Sequence, residues 1–160
     1  MTAKTRLFLL GGSPAYEVYA DEFVAAAGGP SAAIAVLAQT RAGWEKHKSE
    51  ITQPWLDRTV SRFSPVTPDD TNQVLDQPSA LAALGDATGV FICGGHTPTY
   101  HRLYATEPIG TAIRNKYHAG IPVAGVSAGA LISLEICHLP RDETDADELQ
   151  IVQGLCLARG

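Results

Sequence analysis

Short apolar runs alternate with stretches of helical periodicity along most of the chain. Four runs have the continuous apolar character of strands that are buried on both faces: residues 6–10, 31–38, 88–93 and 121–126. Apolar side chains recur at helical spacing in four other stretches: residues 16–27, 44–62, 78–84 and 99–119. Pro54 should interrupt the second helix, and Pro108 should break or kink the last. This alternation predicts an α/β fold with a doubly wound, mostly parallel sheet.

The segments between these elements are less regular. A loop is predicted at residues 39–44, and a short strand or turn with an aspartate cap is predicted at residues 66–70. Residues 138–148 are strongly acidic, which is typical of a solvated loop. One more strand is predicted to begin at residue 150.

The last of the four apolar runs ends in a turn with a catalytic pattern. Gly125-Val126-Ser127-Ala128-Gly129 is a G-x-S-x-G sequence between a predicted strand and a predicted helix. This is the pattern of a nucleophile elbow, and we call the two flanking elements the elbow strand and the elbow helix. A serine at the apex of such a turn points outward, and the flanking positions come too close together to tolerate a Cβ atom. The following helix directs free N–H groups at the apex, where an anionic intermediate would form. The alternative is a Gly/Ala-rich turn in which Ser127 only caps the helix.

Composition narrows the class of protein. Of the 160 residues, 45% are hydrophobic and 18% are charged, as in an ordinary globular protein of one domain. The net charge of −5 and the absence of a Lys/Arg cluster argue against a nucleic-acid partner. The apolar stretch at residues 7–10 is too short for a signal peptide or a membrane span. We therefore expect a cytoplasmic protein that does not bind a membrane.

Signatures of metals and cofactors are missing from the sequence. Cys93, Cys137 and Cys156 are scattered without C-x-x-C spacing, which predicts free thiols and no metal site. Gly11-Gly12 follows the first strand but lacks the G-x-G-x-x-G spacing of a dinucleotide loop. We therefore expect no cofactor.

Three stretches together resemble peptidase family S51, the family of aspartyl dipeptidase (peptidase E) and cyanophycinase. They are Leu7 to Gly12 (LFLLGG), Val90 to Thr97 (VFICGGHT) and Gly120 to Ala130 (GIPVAGVSAGA). The likeness runs over essentially the whole chain. It implies a flavodoxin-like sheet similar to that of the class I glutamine amidotransferases, with serine where those enzymes carry cysteine. It also implies a serine peptidase that hydrolyses dipeptides or short peptides through an acyl-enzyme.

The resemblance assigns roles to four positions of this sequence. Ser127 would be the nucleophile, and the backbone N–H groups of Gly95 and Ala128 would form the oxyanion hole. Gly95 ends the strand expected beside the elbow strand, so two donors from separate turns would converge on one point. His96 would line the pocket and contact substrate, or would be an exposed turn histidine.

The acid and the histidine that would complete a catalytic triad with Ser127 are harder to assign. The acid should fall in the acidic loop, with Asp142 favoured over Asp145, and the family's histidine is expected beyond Gly160. We therefore expect residues 1–160 to be a single α/β domain that is incomplete at its C-terminus. None of the five histidines is persuasively placed as the base: His47, His96, His101, His118 and His138. His138 lies at the far end of the predicted elbow helix.

Other functions stay open at this point. An esterase or another acyl hydrolase could use the same elbow, and a non-catalytic ligand-binding module of the same fold would need no histidine. The peptide specificity, whether for an N-terminal aspartate, cyanophycin or another substrate, is undecided because no arginine can be assigned to the pocket. Many domains of this kind are dimers, so a homodimer is one alternative for the oligomeric state.

Overall fold

A five-stranded parallel sheet forms the centre of the fold, in a computed structural model that describes residues 4–12 and 15–159. Its strands are β1 (Leu7–Leu10), β2 (Ala33–Leu37), β3 (Arg62–Val66), β4 (Gly89–Ile92) and β5 (Val123–Val126). Their order across the sheet is β1-β5-β4-β2-β3, so β5 lies between β1 and β4. Two further strands, β6 (Ile136–Leu139) and β7 (Gln150–Gln153), form a separate antiparallel pair.

Helices connect and flank the parallel strands. They are α1 (Tyr16–Ala26), α2 (Arg41–Leu56), α3 (Gln77–Asp86), α4 (Thr97–Tyr100), α5 (Ile109–His118) and α6 (Ala128–Ser133). Every residue of β2, β4 and β5 is buried, which explains why the sequence shows each of them as an uninterrupted apolar run. The predicted α/β fold with a mostly parallel sheet is confirmed. None of the helices in the described ranges is both long and apolar enough to span a membrane.

The packing of α2 against α1 sets one wall of the cavity that holds the candidate site. Trp55 near the end of α2 is fully buried, and its indole N–H donates a hydrogen bond to the Tyr19 hydroxyl at 3.0 Å. The Arg58 guanidinium binds the carboxylates of Glu17 at 2.7 Å and Asp21 at 2.6 Å. The end of α2 is therefore fixed to α1 by a buried aromatic contact and by two ion pairs.

The start of α2 differs from the prediction. Residues 41–44 were expected in a loop, but the helix begins at Arg41 because the Thr40 Oγ1 atom accepts a hydrogen bond from the Gly43 N–H at 2.9 Å. Pro54 was expected to interrupt the helix, and it lies inside the helix instead. Burial of Ile51 and Trp55 on either side of Pro54 keeps this last turn helical.

Strand β3 lies before the position that the sequence indicated. Its five residues include only one buried side chain, Val66, because β3 is the outermost strand of the sheet. Pro65 is tolerated there because an edge strand has one side that needs no hydrogen-bond donors. Residues 66–70 contain the predicted turn and cap, since the Asp69 carboxylate accepts hydrogen bonds from the N–H groups of Thr71 and Asn72.

The C-terminal part of the chain corrects one expectation and confirms another. The elbow helix α6 ends at Ser133, so His138 lies on strand β6 and not at a helix end. The strand predicted to begin at residue 150 is present as β7, which pairs with β6. The break at Pro108 is also confirmed, because a π-helical turn and a bend separate α4 from α5.

Candidate active site

Ser127 occupies a strained turn between β5 and α6. Its φ of 52° and ψ of −116° lie in a region that residues with a side chain rarely adopt. The turn is held on both sides: the Ser127 N–H donates to the Leu10 carbonyl at 2.9 Å, and the Ser127 carbonyl accepts from Ala130 and Leu131. The Ser127 hydroxyl makes no capping hydrogen bond with α6, and the residue is exposed. The alternative in which Ser127 is only a helix cap is therefore not supported.

The two glycines of the elbow are required by close backbone contacts. A Cβ atom on Gly125 would collide with the carbonyl group of Gly129. A Cβ atom on Gly129 would collide with the carbonyl oxygen of Ile92 and lie 2.8 Å from that of Cys93. Backbone atoms cannot rotate away as a side chain can, so both positions must lack a side chain. This is the steric requirement that the G-x-S-x-G pattern indicated.

The turn that follows β4 lies against Ser127, because β4 pairs with β5 in parallel register. A Cβ atom on Gly94 would lie only 3.0 Å from the Cβ of Ser127. Gly95 has a φ of 155°, and Ala128 is fully buried at the start of α6. Within the described residues, neither the Gly95 N–H nor the Ala128 N–H donates a hydrogen bond. Two backbone N–H groups on the turns at Ser127 are thus without an acceptor among the described residues.

A cavity of about 570 Å³ opens at the carboxyl ends of the parallel strands. Its lining includes Ser127 and Gly95 on one side and residues of α1 and α2 on the other, among them Tyr16, Trp44, His47 and Glu50. Ligands of doubly wound sheets bind in this crevice outside the carboxyl ends of the strands. Ser127 is therefore placed where the fold class locates its ligand sites.

A histidine and a glutamate of α2 lie side by side in the cavity. The His47 Nδ1 atom lies 3.7 Å from the Glu50 Oε2 atom, and both side chains are half exposed. His47 was not assigned to the site from the sequence, so its position in the cavity was not predicted. Trp44, His47 and Ile51 recur at spacings of three and four residues, and Trp44 and Ile51 are apolar and buried. This helical periodicity was the sequence signal that could have indicated the position of His47.

Three ionisable groups in the cavity, Tyr16, Cys93 and Tyr100, are neutral near pH 7. Burial raises the pKa of Tyr100, and it raises the pKa of Tyr16 to about 12, with smaller contributions from the neighbouring Cys93 and Glu50. Burial also raises the pKa of the Cys93 thiol to about 12. Cys93 therefore stays a protonated thiol and offers no nucleophile beside Ser127. Among the described residues, no group of three or more His, Cys, Asp or Glu side chains is suited to hold a metal ion.

His96 and the acidic loop lie together outside the cavity lining. The His96 ring nitrogens lie 2.9 Å from the Thr99 hydroxyl and 2.9 Å from the Glu143 carbonyl oxygen. The Glu143 carboxylate accepts a hydrogen bond from the Thr97 N–H at 2.6 Å. The acidic loop therefore packs on the turn that carries Gly95, and it does so through Glu143. This residue was not among those that the sequence indicated.

Asp142 lies in a 3-10 turn, Arg141–Glu143, and both Asp142 and Asp145 are exposed. Neither is among the described residues that line the cavity. The choice between them as an acid of the site stays a prediction, as does the role of His96 in binding substrate.

Cysteine reactivity gives a first test of which side chains are closed to solvent. In the folded protein we expect iodoacetamide at pH 8 to alkylate Cys156 well before the other two thiols, because Cys93 and Cys137 are buried. Burial raises the pKa of Cys93 to about 12 and that of Cys137 to about 11, so little thiolate is present at that pH. Mass mapping should find all three thiols modified after unfolding in urea. Rapid labelling of Cys93 in the folded protein would show that this thiol is not buried beside the elbow.

The parallel sheet and the strained serine define the class of protein, which is a doubly wound α/β domain with a nucleophile elbow. The sequence profile of peptidase family S51 matches residues 57–159, which is more than half of the chain. The chain therefore belongs to peptidase family S51. This confirms the family that the three sequence stretches indicated. No curated protein sequence matches the chain.

Two solved structures share the fold. A peptidase from an acI-B1 Actinobacterium superposes with a TM-score of 0.66 at 18% sequence identity, covering 94% of this chain and 64% of that chain. A peptidase E-type protein from Listeria monocytogenes EGD-e superposes with a TM-score of 0.63 at 14% identity, covering 97% of this chain and 76% of that chain. The chain thus spans less than two thirds of the actinobacterial peptidase. At these identities, the similarity shows a common fold.

Proposed function

We propose that the protein is a serine peptidase that hydrolyses dipeptides or short peptides through an acyl-enzyme on Ser127. The observation that carries the proposal is the exposed Ser127 side chain, which the backbone holds in a strained conformation and which makes no capping bond. Strain at an exposed serine that lines a cavity is typical of a nucleophile elbow. Membership in a family of peptidases supports acyl transfer as the reaction.

The chemical steps follow from the arrangement around the elbow. The Ser127 Oγ atom attacks the carbonyl carbon, and its proton passes to a base and then to the leaving amine. The N–H groups of Gly95 and Ala128 donate to the oxyanion, and water then hydrolyses the acyl-enzyme. The proposed base is the histidine that the family resemblance predicts beyond Gly160, oriented by Asp142 or Asp145.

The size of the cavity supports a small substrate. Its volume of about 570 Å³ falls within the roughly 300–1,000 Å³ that is usual for small-molecule sites. No arginine or lysine occurs among its described lining residues, and Glu50 is the carboxylate there. Trp44 and Tyr16 add aromatic surface, which also attracts cations. These residues favour a peptide that brings an ammonium group over one that brings a second carboxylate.

Substitution of Glu50 tests this preference. We expect Glu50→Gln to raise KM for a dipeptide with a free α-ammonium group by about three- to fivefold, the size of a half-exposed ion pair. The N-acetylated form of the same peptide should show no such increase, because it carries no charge at that end. Glu45→Gln is the matched control, because this half-exposed carboxylate pairs with Lys48 on the same helix and is not among the described residues that line the cavity. An equal increase in KM for both peptides would contradict a contact between Glu50 and the ammonium group.

The proposed reaction can be tested on the protein as its gene encodes it, with the intact mass compared with the 16.9 kDa of these 160 residues. An organophosphonate probe should form a covalent adduct that maps to the peptide containing Ser127. A panel of dipeptides, short peptides and p-nitrophenyl esters should then show peptide hydrolysis. Turnover of esters without peptides would favour the esterase, and absence of any adduct would favour the ligand-binding module.

The placement of three histidines favours the non-catalytic alternative, because none of the three is a convincing base for Ser127. Among the described residues, the ring nitrogens of His96 contact Thr99 and Glu143, and His101 contacts the Gln153 carbonyl at 2.8 Å. His138 lies on β6, away from the elbow helix end where it was expected. If the protein as encoded has a mass of 16.9 kDa and forms no adduct, the ligand-binding module becomes the better account of this fold.

A further inference from the structure

A buried tyrosine holds the peptide unit that carries the Gly95 N–H. The Tyr100 hydroxyl donates a hydrogen bond to the Gly94 carbonyl oxygen at 3.1 Å. The same hydroxyl accepts a hydrogen bond from the Gln39 N–H at 3.0 Å, so its proton is directed at Gly94. Tyr100 is only 1% exposed, and burial raises its pKa, which keeps the hydroxyl protonated. The donor is therefore present at every pH at which the protein would work.

The geometry of the peptide bond makes this contact important for Gly95. The Gly94 carbonyl and the Gly95 N–H belong to one planar trans unit and point in opposite directions. Fixing the carbonyl oxygen therefore fixes the direction of the N–H. A free glycine pair would otherwise allow this unit to rotate, because glycine has the widest range of backbone conformations.

A second contact holds the next peptide unit. The Gln39 side-chain oxygen accepts a hydrogen bond from the His96 N–H at 2.8 Å. A Cβ atom on Gly95 would collide with this same oxygen and lie 3.0 Å from the Tyr100 ring. Gln39 and Tyr100 therefore pack directly against Gly95 on the side where a side chain would be. The peptide units on both sides of its Cα atom are held from outside the turn.

We propose that Tyr100 is a positioning residue of the oxyanion hole, whose hydroxyl directs the Gly95 N–H toward the Ser127 site through the Gly94 carbonyl. Gln39 completes this support by holding the His96 N–H. The inference rests on the proposed function, since it assigns a task to Tyr100 only if an oxyanion forms at Ser127. Tyr100 itself need not touch the substrate carbonyl.

The chain offers a matched control in Tyr104. Its ring centroid lies 5.8 Å from that of Tyr100, and it is 0% exposed. The Tyr104 hydroxyl lies 2.7 Å from the Ala38 carbonyl oxygen and 2.8 Å from the Val66 carbonyl oxygen. It therefore joins the ends of β2 and β3, and it is linked to Tyr100 only indirectly, because the Ala38 carbonyl and the Gln39 N–H belong to one peptide unit. Tyr100→Phe and Tyr104→Phe remove the same atom from two adjacent buried rings.

We expect Tyr100→Phe to lower kcat by about 10- to 100-fold, because a misdirected oxyanion donor loses much of its effect. KM should stay within about twofold, since the substrate carbonyl gains this interaction mainly in the transition state. Tyr104→Phe should lower kcat by a smaller factor than Tyr100→Phe, because it leaves the hydrogen bond between Tyr100 and the Gly94 carbonyl in place. Thermal denaturation of both variants corrects each value for lost stability.

A spectroscopic measurement separates positioning from general destabilisation. In protein labelled with ¹⁵N-glycine, the Gly95 amide resonance should shift when an organophosphonate reacts with Ser127, because the bound phosphoryl oxygen occupies the oxyanion position. Tyr100→Phe should reduce this shift, and Tyr104→Phe should preserve it. Gln39→Leu should act like Tyr100→Phe, and it serves as the second variant if Tyr100→Phe does not fold.

The outcomes distinguish this inference from the proposed function. If the wild-type protein forms no adduct, the proposed function fails and the inference falls with it. If the wild-type protein reacts and hydrolyses peptides, but the two tyrosine variants have equal kcat and equal Gly95 shifts, only the inference is overturned. A selective loss of kcat and of the Gly95 shift in Tyr100→Phe supports it.

Discussion

Ser127→Ala is expected to lower kcat/KM for a short peptide by at least about 10⁴-fold, and to abolish the organophosphonate adduct. In the proposed mechanism this hydroxyl forms the acyl-enzyme, and the Cys93 thiol in the described cavity cannot replace it, because burial raises the pKa of that thiol to about 12. The variant should fold normally, because the Ser127 hydroxyl makes no capping bond that would be lost. Steady-state kinetics and intact mass after probe treatment measure the two effects.

Ser133→Ala is the control for this experiment. Ser133 lies in the same helix, and its hydroxyl donates to the Gly129 carbonyl oxygen at 2.7 Å. It is fully buried, so its loss should cost about 1 kcal/mol of stability without removing the adduct. If Ser127→Ala retained the adduct, or if both variants lost activity equally, Ser127 would not be the nucleophile.

Gly129→Ala is expected to destabilise the protein by about 3 kcal/mol and to remove peptidase activity as well. The added Cβ atom would collide with the Ile92 carbonyl, which belongs to the central strand β4 and cannot move without disturbing the sheet. The start of α6 must therefore shift away from β4, and Ser127 and the Ala128 N–H would shift with it. Denaturation in urea, followed by kinetics at a temperature where the variant is folded, measures both effects.

Gly85→Ala is the matched control for this substitution. Gly85 lies inside α3, and a Cβ atom there would have no other atom within 4 Å. Alanine favours a helix over glycine, so this variant should be more stable than the wild type by about 0.5–1 kcal/mol. Equal stabilities for Gly129→Ala and the wild type would show that α6 does not lie in close contact with β4.

The parallel strands and the elbow could be predicted because their determinants are local. Strands β2, β4 and β5 are buried on both faces, so each appears in the sequence as an apolar run. The glycines around Ser127 are fixed by backbone contacts, and they therefore form a recognisable pattern. Strand β3 lacked such a signal because an edge strand with one buried residue has no apolar run.

Much of the site could not be predicted because it depends on contacts between distant segments. Tyr100 and Gln39 are separated by 61 positions, and their hydrogen bond exists only because β2 and β4 are neighbours in the sheet. His47 was not distinguished from the other histidines in the sequence, and only the packing of α2 shows that it lines the cavity. The roles of Asp142 and His96 stay predictions, since their side chains lie outside the cavity lining.

The hydrogen bonds of Glu143 have a mechanical consequence. Its carboxylate holds the Thr97 N–H, and its carbonyl oxygen contacts the His96 ring, so the acidic loop is attached to the turn that carries Gly95. A displacement of this loop would pull on the turn within two residues of Gly95. The loop and the Gly95 turn should therefore move as one body. Any ligand that displaces the acidic loop would therefore also change the geometry of the Gly95 turn.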